Sequence, residues 1–198
     1  MCSWWSFSWA TPLARLGLVP RYAAFLRAIN IGGRRITSAE LRMRVEAIGF
    51  QDVSVFRASG NVVLDAGSGS AAKVTARIEE GLTDSLGYEV VAFVRSAGEV
   101  RAMADYDPFP PSDVQASAGK LQVALLLKPP SKRARTATLA MKTNEDRLAF
   151  GPRELYWLPA GGTMESALDR KALVAQLGAM TFRTKGTVEQ IARKYFGA

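Results

Sequence analysis

Two short stretches carry residues whose types and spacing suit chemistry. Asn30-Ile31-Gly32-Gly33-Arg34-Arg35 sets two glycines, which let the backbone approach a ligand closely, directly before two guanidinium groups. Thr37 and Glu40 follow in the T-x-x-E spacing that opens a helix, so the loop leads into an N-terminus that favours anions. Ser59-Gly60-Asn61 adds a hydroxyl and an amide on a tight turn. The matching ligand chemistry is phosphate or carboxylate, with arginine forks for charge and Ser59 and Asn61 for neutral hydrogen bonds. The spacing is neither G-x-G-x-x-G nor G-x-x-x-x-G-K-[ST]. A glycine turn, a capped helix and a hairpin account for the same residues without any ligand. A second set of the same character lies late in the chain: Gly161, Gly162 and Ser166, then Arg183, Lys185 and Thr187.

The elements that must position these residues follow from periodicity. Tyr22 to Ile29 is a buried strand by length and flanks. Leu41, Val45 and Ile48 line one face of the helix behind Thr37, and Gly49 ends it. Val53 and Val55 alternate in a second strand, and Val62 to Asp65 returns from the Ser59–Asn61 turn. Gly67-Ser68-Gly69-Ser70 is a connector; Val74, Ile78 and Leu82 mark a second helix closed by Gly87, and Glu89 to Val94 is a fourth strand. The order is βαββαβ, the ferredoxin-like split βαβ unit with an antiparallel sheet and both helices on one face. Its first and third strands are neighbours, and up–down alternation puts the Asn30–Arg35 loop and the Ser59–Asn61 turn at one end, side by side.

The same order recurs. Ser96 and Glu99 form another capping box, for a helix through about Ala104. Pro108, Pro110 and Pro111 break regular structure, and 105–119 reads as a linker. Strands are expected at Leu121–Leu127, Arg147–Phe150, Glu154–Leu158 and Ala179–Arg183. Helices are expected over 131–141 and around Leu173, Val174 and Leu177. A last helix is capped by Thr187 and Gln190, with Val188, Ile191 and Tyr195 on its apolar side. The predicted fold class is α+β: two ferredoxin-like halves with antiparallel sheets, over 21–104 and 120–198, plus a C-terminal helix. The repeat is one of pattern, since the residues of the halves do not match. The Pro159–Ser166 loop and the Arg183–Thr187 segment should share an end of the second half.

Composition narrows the chemistry. The chain has 198 residues, 48% hydrophobic and 22% charged, enough for a real core. It has no histidine, which removes Ser-His-Asp and Cys-His triads, histidine-ligated metals and imidazole acid–base steps. Cys2 is the single cysteine, so no intrachain disulfide or cysteine zinc site forms and a reducing cytoplasm is the expected setting. No metal is expected, and no residue pattern names a cofactor. No run reaches the roughly 18 apolar residues of a membrane span. A net charge of +8 favours anionic partners, but the arginines are spread along the whole chain. Residues 1–20 hold three of the four tryptophans, show no period and fail as a signal peptide. They read as a disordered extension or an upstream mis-assignment, with Val19 as the true start.

R-Y-A-A-F-L-R-A-I-N-I-G-G, the S-G-N-V-V turn and strand, and F-R-T-K-G-T-V near the end resemble the bacterial domain-of-unknown-function 1697 family, over about residues 21 to 196. The resemblance implies a pair of ferredoxin-like halves and a start just before Arg21, and it implies no activity. The chain has Ala58 where many members carry glutamine, and Arg183-Thr184-Lys185-Gly186-Thr187 where many carry R-N-W-N-T.

Three functions and a fourth, structural one follow from these residues. The first is binding of a phosphorylated or anionic small molecule by the two early loops. The second is nucleic-acid binding, against which stands the lack of stacking aromatics: Val62-Val63-Leu64 has none and Phe25 stands alone on the first strand. The third is an enzyme without histidine chemistry, lacking paired carboxylates and a nucleophile elbow. The fourth is protein interaction through an exposed Tyr156 and Trp157. Oligomeric state has no sequence signal.

Overall fold

The computed structural model describes residues 20–30, 32–117, 120–143 and 145–197. The expectations about the first eighteen residues and Val19 lie outside them, as do Ile31, Ala118 and Gly119. The first half runs β1 (Arg21–Arg27), α1 (Ser38–Ala47), β2 (Gln51–Phe56), β3 (Asn61–Asp65), α2 (Ala71–Leu86) and β4 (Val91–Ser96). Its antiparallel sheet has the order β2-β3-β1-β4, so the first and third strands are neighbours. Alternation along β1 sends Ala24 and Leu26 to Leu41 and Val45 of α1 and to Val74, Ile78 and Leu82 of α2. Ala23 and Phe25 point the opposite way, into a different core. Thr37 closes the expected capping box: its hydroxyl accepts from Glu40 N at 3.1 Å, and its N–H donates to Glu40 Oε2 at 2.8 Å. Gly81 permits the close α1–α2 approach, since a Cβ there would lie 2.5 Å from Ile48 Cγ1.

The chain continues through α3 (Ala97–Asp105), α4 (Pro111–Ala116), β5 (Gln122–Leu126), α5 (Lys132–Leu139), β6 (Arg147–Phe150) and β7 (Glu154–Leu158). It ends with α6 (Arg170–Leu177), β8 (Met180–Thr184) and α7 (Lys185–Phe196). The second sheet is also antiparallel, and its order β6-β7-β5-β8 repeats the first. Ala124, Leu126, Leu155 and Trp157 pack with Leu168 and with Leu173 of α6. Val123, Leu125, Tyr156 and Leu158 face the other way. There they meet Ala23, Phe25, Val63 and Phe93 of the first sheet around Val100 and Met103 of α3 and Val188, Ile191 and Phe196 of α7. Both faces of both sheets are therefore covered, and α3 and α7 form the layer between the halves.

Four expectations change. Part of the expected linker is α4, because a proline at N1 loses no helical hydrogen bond and its fixed φ suits a first turn. The fourth strand lies two residues later than Glu89–Val94, its pairing with β1 running from Val91 to Ser96. The last helix is capped by Thr184, whose hydroxyl accepts from Thr187 N, and Thr187 lies inside its first turn. Tyr156 and Trp157 are buried, at 1% and 2% exposure, and offer no exposed patch.

The halves also match in residues where they were expected not to. Arg95-Ser96-Ala97-Gly98-Glu99-Val100 and Arg183-Thr184-Lys185-Gly186-Thr187-Val188 are both R-[ST]-x-G-x-V. In each, the arginine is the last but one residue of the fourth strand, the hydroxyl residue ends that strand and is the N-cap, and the valine is buried on the helix it opens.

Candidate functional site

The Asn30–Arg35 loop leaves β1 with positive φ at Ala28, Asn30, Gly32 and Gly33. Asn30 accepts a bond at Oδ1 from Ile36 N (2.7 Å), and its Nδ2 donates to Ile36 O (3.2 Å) and to Ala58 O (2.6 Å). The loop and the Ser59–Asn61 hairpin do meet, and the Asn30 side chain is spent on joining them. Gly60 is fixed beneath them: φ is +69°, Leu26 N donates to its carbonyl at 2.7 Å, and a Cβ would lie 3.2 Å from those of Leu26 and Ile29.

Gly32, Gly33, Arg34 and Arg35 are exposed, and the last three line a cleft of about 550 Å³ that also touches Asn30, Ile36 and Ala58. Arg34 lies over the Tyr88 ring, 4.0 Å from its centre. Neither arginine forms an ion pair among the described residues. The end of α1 is less open than its sequence implied. Bonds from the Thr37 backbone and then its hydroxyl hold the Glu40 carboxyl below its usual range, so the chain places its own anion there.

Asn61 is turned inward, at 1% exposure, and does not line this cleft. Its Nδ2 donates to Phe56 O at 3.1 Å and to Ser59 Oγ at 2.8 Å, and its Oδ1 accepts from Arg183 Nε at 2.5 Å. Arg183 thus crosses from the second half into the first. Its Nη2 donates to Leu26 O and Ser59 O, both at 2.9 Å, and its Nη1 to Phe182 O and Thr181 Oγ1, both at 2.8 Å. All five guanidinium donors are satisfied, each by a neutral acceptor. Burial pushes the Arg183 guanidinium down to about 10, which leaves it charged at neutral pH.

Arg95 makes the reciprocal reach, from the first half into the second. Its Nε donates to Glu154 Oε1 at 2.9 Å, its Nη2 to Leu126 O (2.9 Å) and Arg153 O (3.0 Å), and its Nη1 to Val94 O (3.1 Å). These four bonds follow the pattern of four of the five that Arg183 makes; the Arg183 bond to Thr181 has no counterpart here. Nε goes to the side chain opening the third strand, Nη2 to the end of the first strand and to the hairpin, and Nη1 to the carbonyl of the preceding residue. The hairpins agree as well, since Leu26 N bonds Gly60 O and Leu126 N bonds Arg153 O. Burial pushes Arg95 down while Glu154 beside it pulls back up, and burial wins. Sequence reasoning missed Arg95 and Glu154; the R-[ST]-x-G-x-V repeat was a signal for Arg95, and Glu154 had none.

The late candidates are not assembled into one place. Gly162 N donates to Glu165 Oε2 at 3.0 Å, so this loop also carries its own anion, and Gly161 lies beside the same carboxylate. The Ser166 hydroxyl sits 2.9 Å and 3.0 Å from the oxygens of buried Asp146, which also takes the Trp157 Nε1 and Thr143 Oγ1 bonds. Lys185 is buried against Asp107 (2.6 Å) and Glu189 (3.3 Å). Thr187 bonds Thr184. No hydrogen bond among the described residues joins the Gly161–Ser166 loop to Arg183, Lys185 or Thr187. Among these residues no group of acidic, cysteine or histidine side chains could hold a metal ion, and no helix is long and apolar enough to cross a membrane.

A family model described as "Protein of unknown function (DUF1697)" matches residues 19–156. No curated protein matches the chain. Among solved structures, the conserved bacterial protein SP0830 from Streptococcus pneumoniae is similar, at 18% identity and a TM-score of 0.65 over 88% of this chain and 97% of that one. At that identity the likeness is one of fold. The family match spans well over half of the sequence, from just before β1 into β7, and the chain belongs to the DUF1697 family of proteins of unknown function.

Proposed function

We propose that this protein binds a phosphorylated or otherwise anionic small molecule in the cleft between the Asn30–Arg35 loop and Ala58. The observation that carries the reading is a pair of exposed arginines, Arg34 and Arg35, with no carboxylate partner among the described residues, on a loop pinned by Asn30 beside a space of about 550 Å³. A volume of that size suits a small ligand. The ligand is held by the two guanidinium groups and the Gly33–Arg35 backbone, since Glu40 already occupies the helix end. Asn30, Ser59, Gly60 and Asn61 act as scaffold beneath it. Sheet-face stacking of RNA bases is not open to this fold, because both faces of each sheet are packed. The single cysteine fits the reducing cytoplasm, where phosphorylated metabolites occur.

The test is a thermal-shift titration of the full chain with inorganic phosphate, glucose 6-phosphate, AMP and a short RNA. A small anion at a hundredfold excess over its Kd stabilises the protein by about 2.7 kcal/mol, and R34A/R35A abolishes the shift while leaving the unliganded melting point nearly unchanged. A flat response to the small anions, or a shift that survives R34A/R35A, sinks the reading.

A further inference from the structure

The two corners where the halves clasp each other are not equally filled. Beside Arg183, the Arg57 guanidinium donates to Gln190 Oε1 at 2.9 Å, and Phe56 meets Tyr195 edge-on with ring centres 6.3 Å apart. Beside Arg95 the positions equivalent to Gln190 and Phe56 are small. Ala102 follows Arg95 at the spacing by which Gln190 follows Arg183. Gly151, whose N–H bonds Glu154 O, stands opposite Glu154 as Phe56 stands opposite Asn61. A side chain at Gly151 is resisted, since its Cβ would lie 3.0 Å from Glu154 Oε2 and 3.2 Å from Tyr156 Cε2. The space left open is a cavity of about 490 Å³ between α3, the β6–β7 hairpin and α5.

Its walls are flat and apolar: Met103, Tyr106, Phe150, Pro152 and Tyr156. The Tyr106 ring is 41% exposed and stands edge-on to Tyr156, 5.0 Å between centres. The charges around it are mostly cancelled, Glu99 by Arg153 and Glu154 by Arg95. Arg135 remains. It spends Nη2 on the Gly151 and Pro152 carbonyls (2.8 and 3.1 Å), lies 5.1 Å from the centre of the Phe150 ring, and has no carboxylate partner among the described residues. We infer that this cavity is a binding site for a small planar aromatic carboxylate, its ring against Tyr106 and Phe150 and its carboxylate on Arg135. The volume lies in the range of small-molecule sites, and a guanidinium held over a ring beside apolar walls selects a flat anion. This site is separate from the Arg34–Arg35 cleft.

The experiment is calorimetric titration of the full chain with 2-naphthoate, using neutral 2-naphthylmethanol for comparison. Naphthoate binds at least about tenfold more tightly than the alcohol, and R135M, which keeps the stem and removes the charge, erases that difference. Ala102 is exposed on α3, so A102W folds as the parent does and fills the cavity, abolishing binding of both compounds. R34A/R35A leaves naphthoate binding unchanged, which separates this site from the first. Absence of naphthoate binding at millimolar concentration overturns the inference, as does equal affinity for the alcohol or binding undiminished in both R135M and A102W.

Discussion

Arg95 and Arg183 make the same reach in opposite directions, yet one meets a carboxylate and the other an amide. Glu154 stands where Asn61 stands, so the first clasp is a buried ion pair at 2.9 Å and the second a cation among neutral acceptors. Arg95 is 1% exposed and needs the countercharge, because moving an unpaired guanidinium fully out of water costs several kcal/mol. Arg183 is half-buried and has no carboxylate partner; five charge-assisted bonds to neutral acceptors offset the desolvation that lowers it to about 10. The same geometry thus tolerates two electrostatic solutions, a carboxylate facing one arginine and an amide facing the other. The neighbouring positions divide in the same way, with Glu99 beside Arg95 and Thr187 beside Arg183.

The largest effect should separate the two arginines. R95M leaves the Glu154 carboxylate buried without its cation and should cost about 3–5 kcal/mol. R183M leaves only neutral acceptors unpaired and should cost about 1–3 kcal/mol. Urea unfolding with matched m-values measures both. Equal losses would mean that the countercharge is not what distinguishes the corners. A smaller change converts one clasp toward the other: E154Q keeps an oxygen for Arg95 Nε but removes the charge. It also sets an amide against Arg153 N, which now donates to Glu154 Oε2 at 3.0 Å. The expected loss is about 1–3 kcal/mol, below that of R95M. An E154Q protein as stable as the parent would contradict a role for the charge.

What the sequence disclosed about all this was local. Thr37 with Glu40 and Ser96 with Glu99 were legible as capping boxes, because a cap is decided by residues three apart. The adjacency of the two early loops followed from topology alone, and the Asn30 bond to Ala58 is its physical form. The Thr184 cap was obscured by Thr187, which has an equally plausible partner at Gln190. Pairing settled it, since β8 runs on to place Thr184 opposite Gln122 and the helix must start after that. The fate of the polar side chains was not legible. Asn61 and Arg183 lie 122 positions apart and meet only because the halves dock. Glu165, by contrast, sits three residues from Gly162, and its claim on that loop was readable in principle.

The smallest expected effect tests the Glu99–Thr187 difference through pH. Burial alone would raise the Glu99 carboxyl, but bonds from the Ser96 backbone and hydroxyl, with Arg153 alongside, outweigh it and hold Glu99 below its ordinary 4.5. A carboxyl lowered on folding contributes stability that is complete above its unfolded value. That contribution is lost as pH falls through the folded value, so the window opens near 4.5 and extends downward. Glutamine at this position keeps the capping box while removing the titration. Between pH 6 and pH 3 the E99Q protein should therefore lose less stability than the parent, by no more than about 1 kcal/mol, given how much of Glu99 is open to water. Its stability at pH 6 should be slightly lower, because Arg153 has lost its partner. Thr187, at the matching position of α7, has nothing to titrate, so T187V should leave the acid slope of the parent unchanged. Parallel slopes for the parent and E99Q would show that acid sensitivity resides in groups other than Glu99, and the two clasps would then be distinguished by the charge of Glu154.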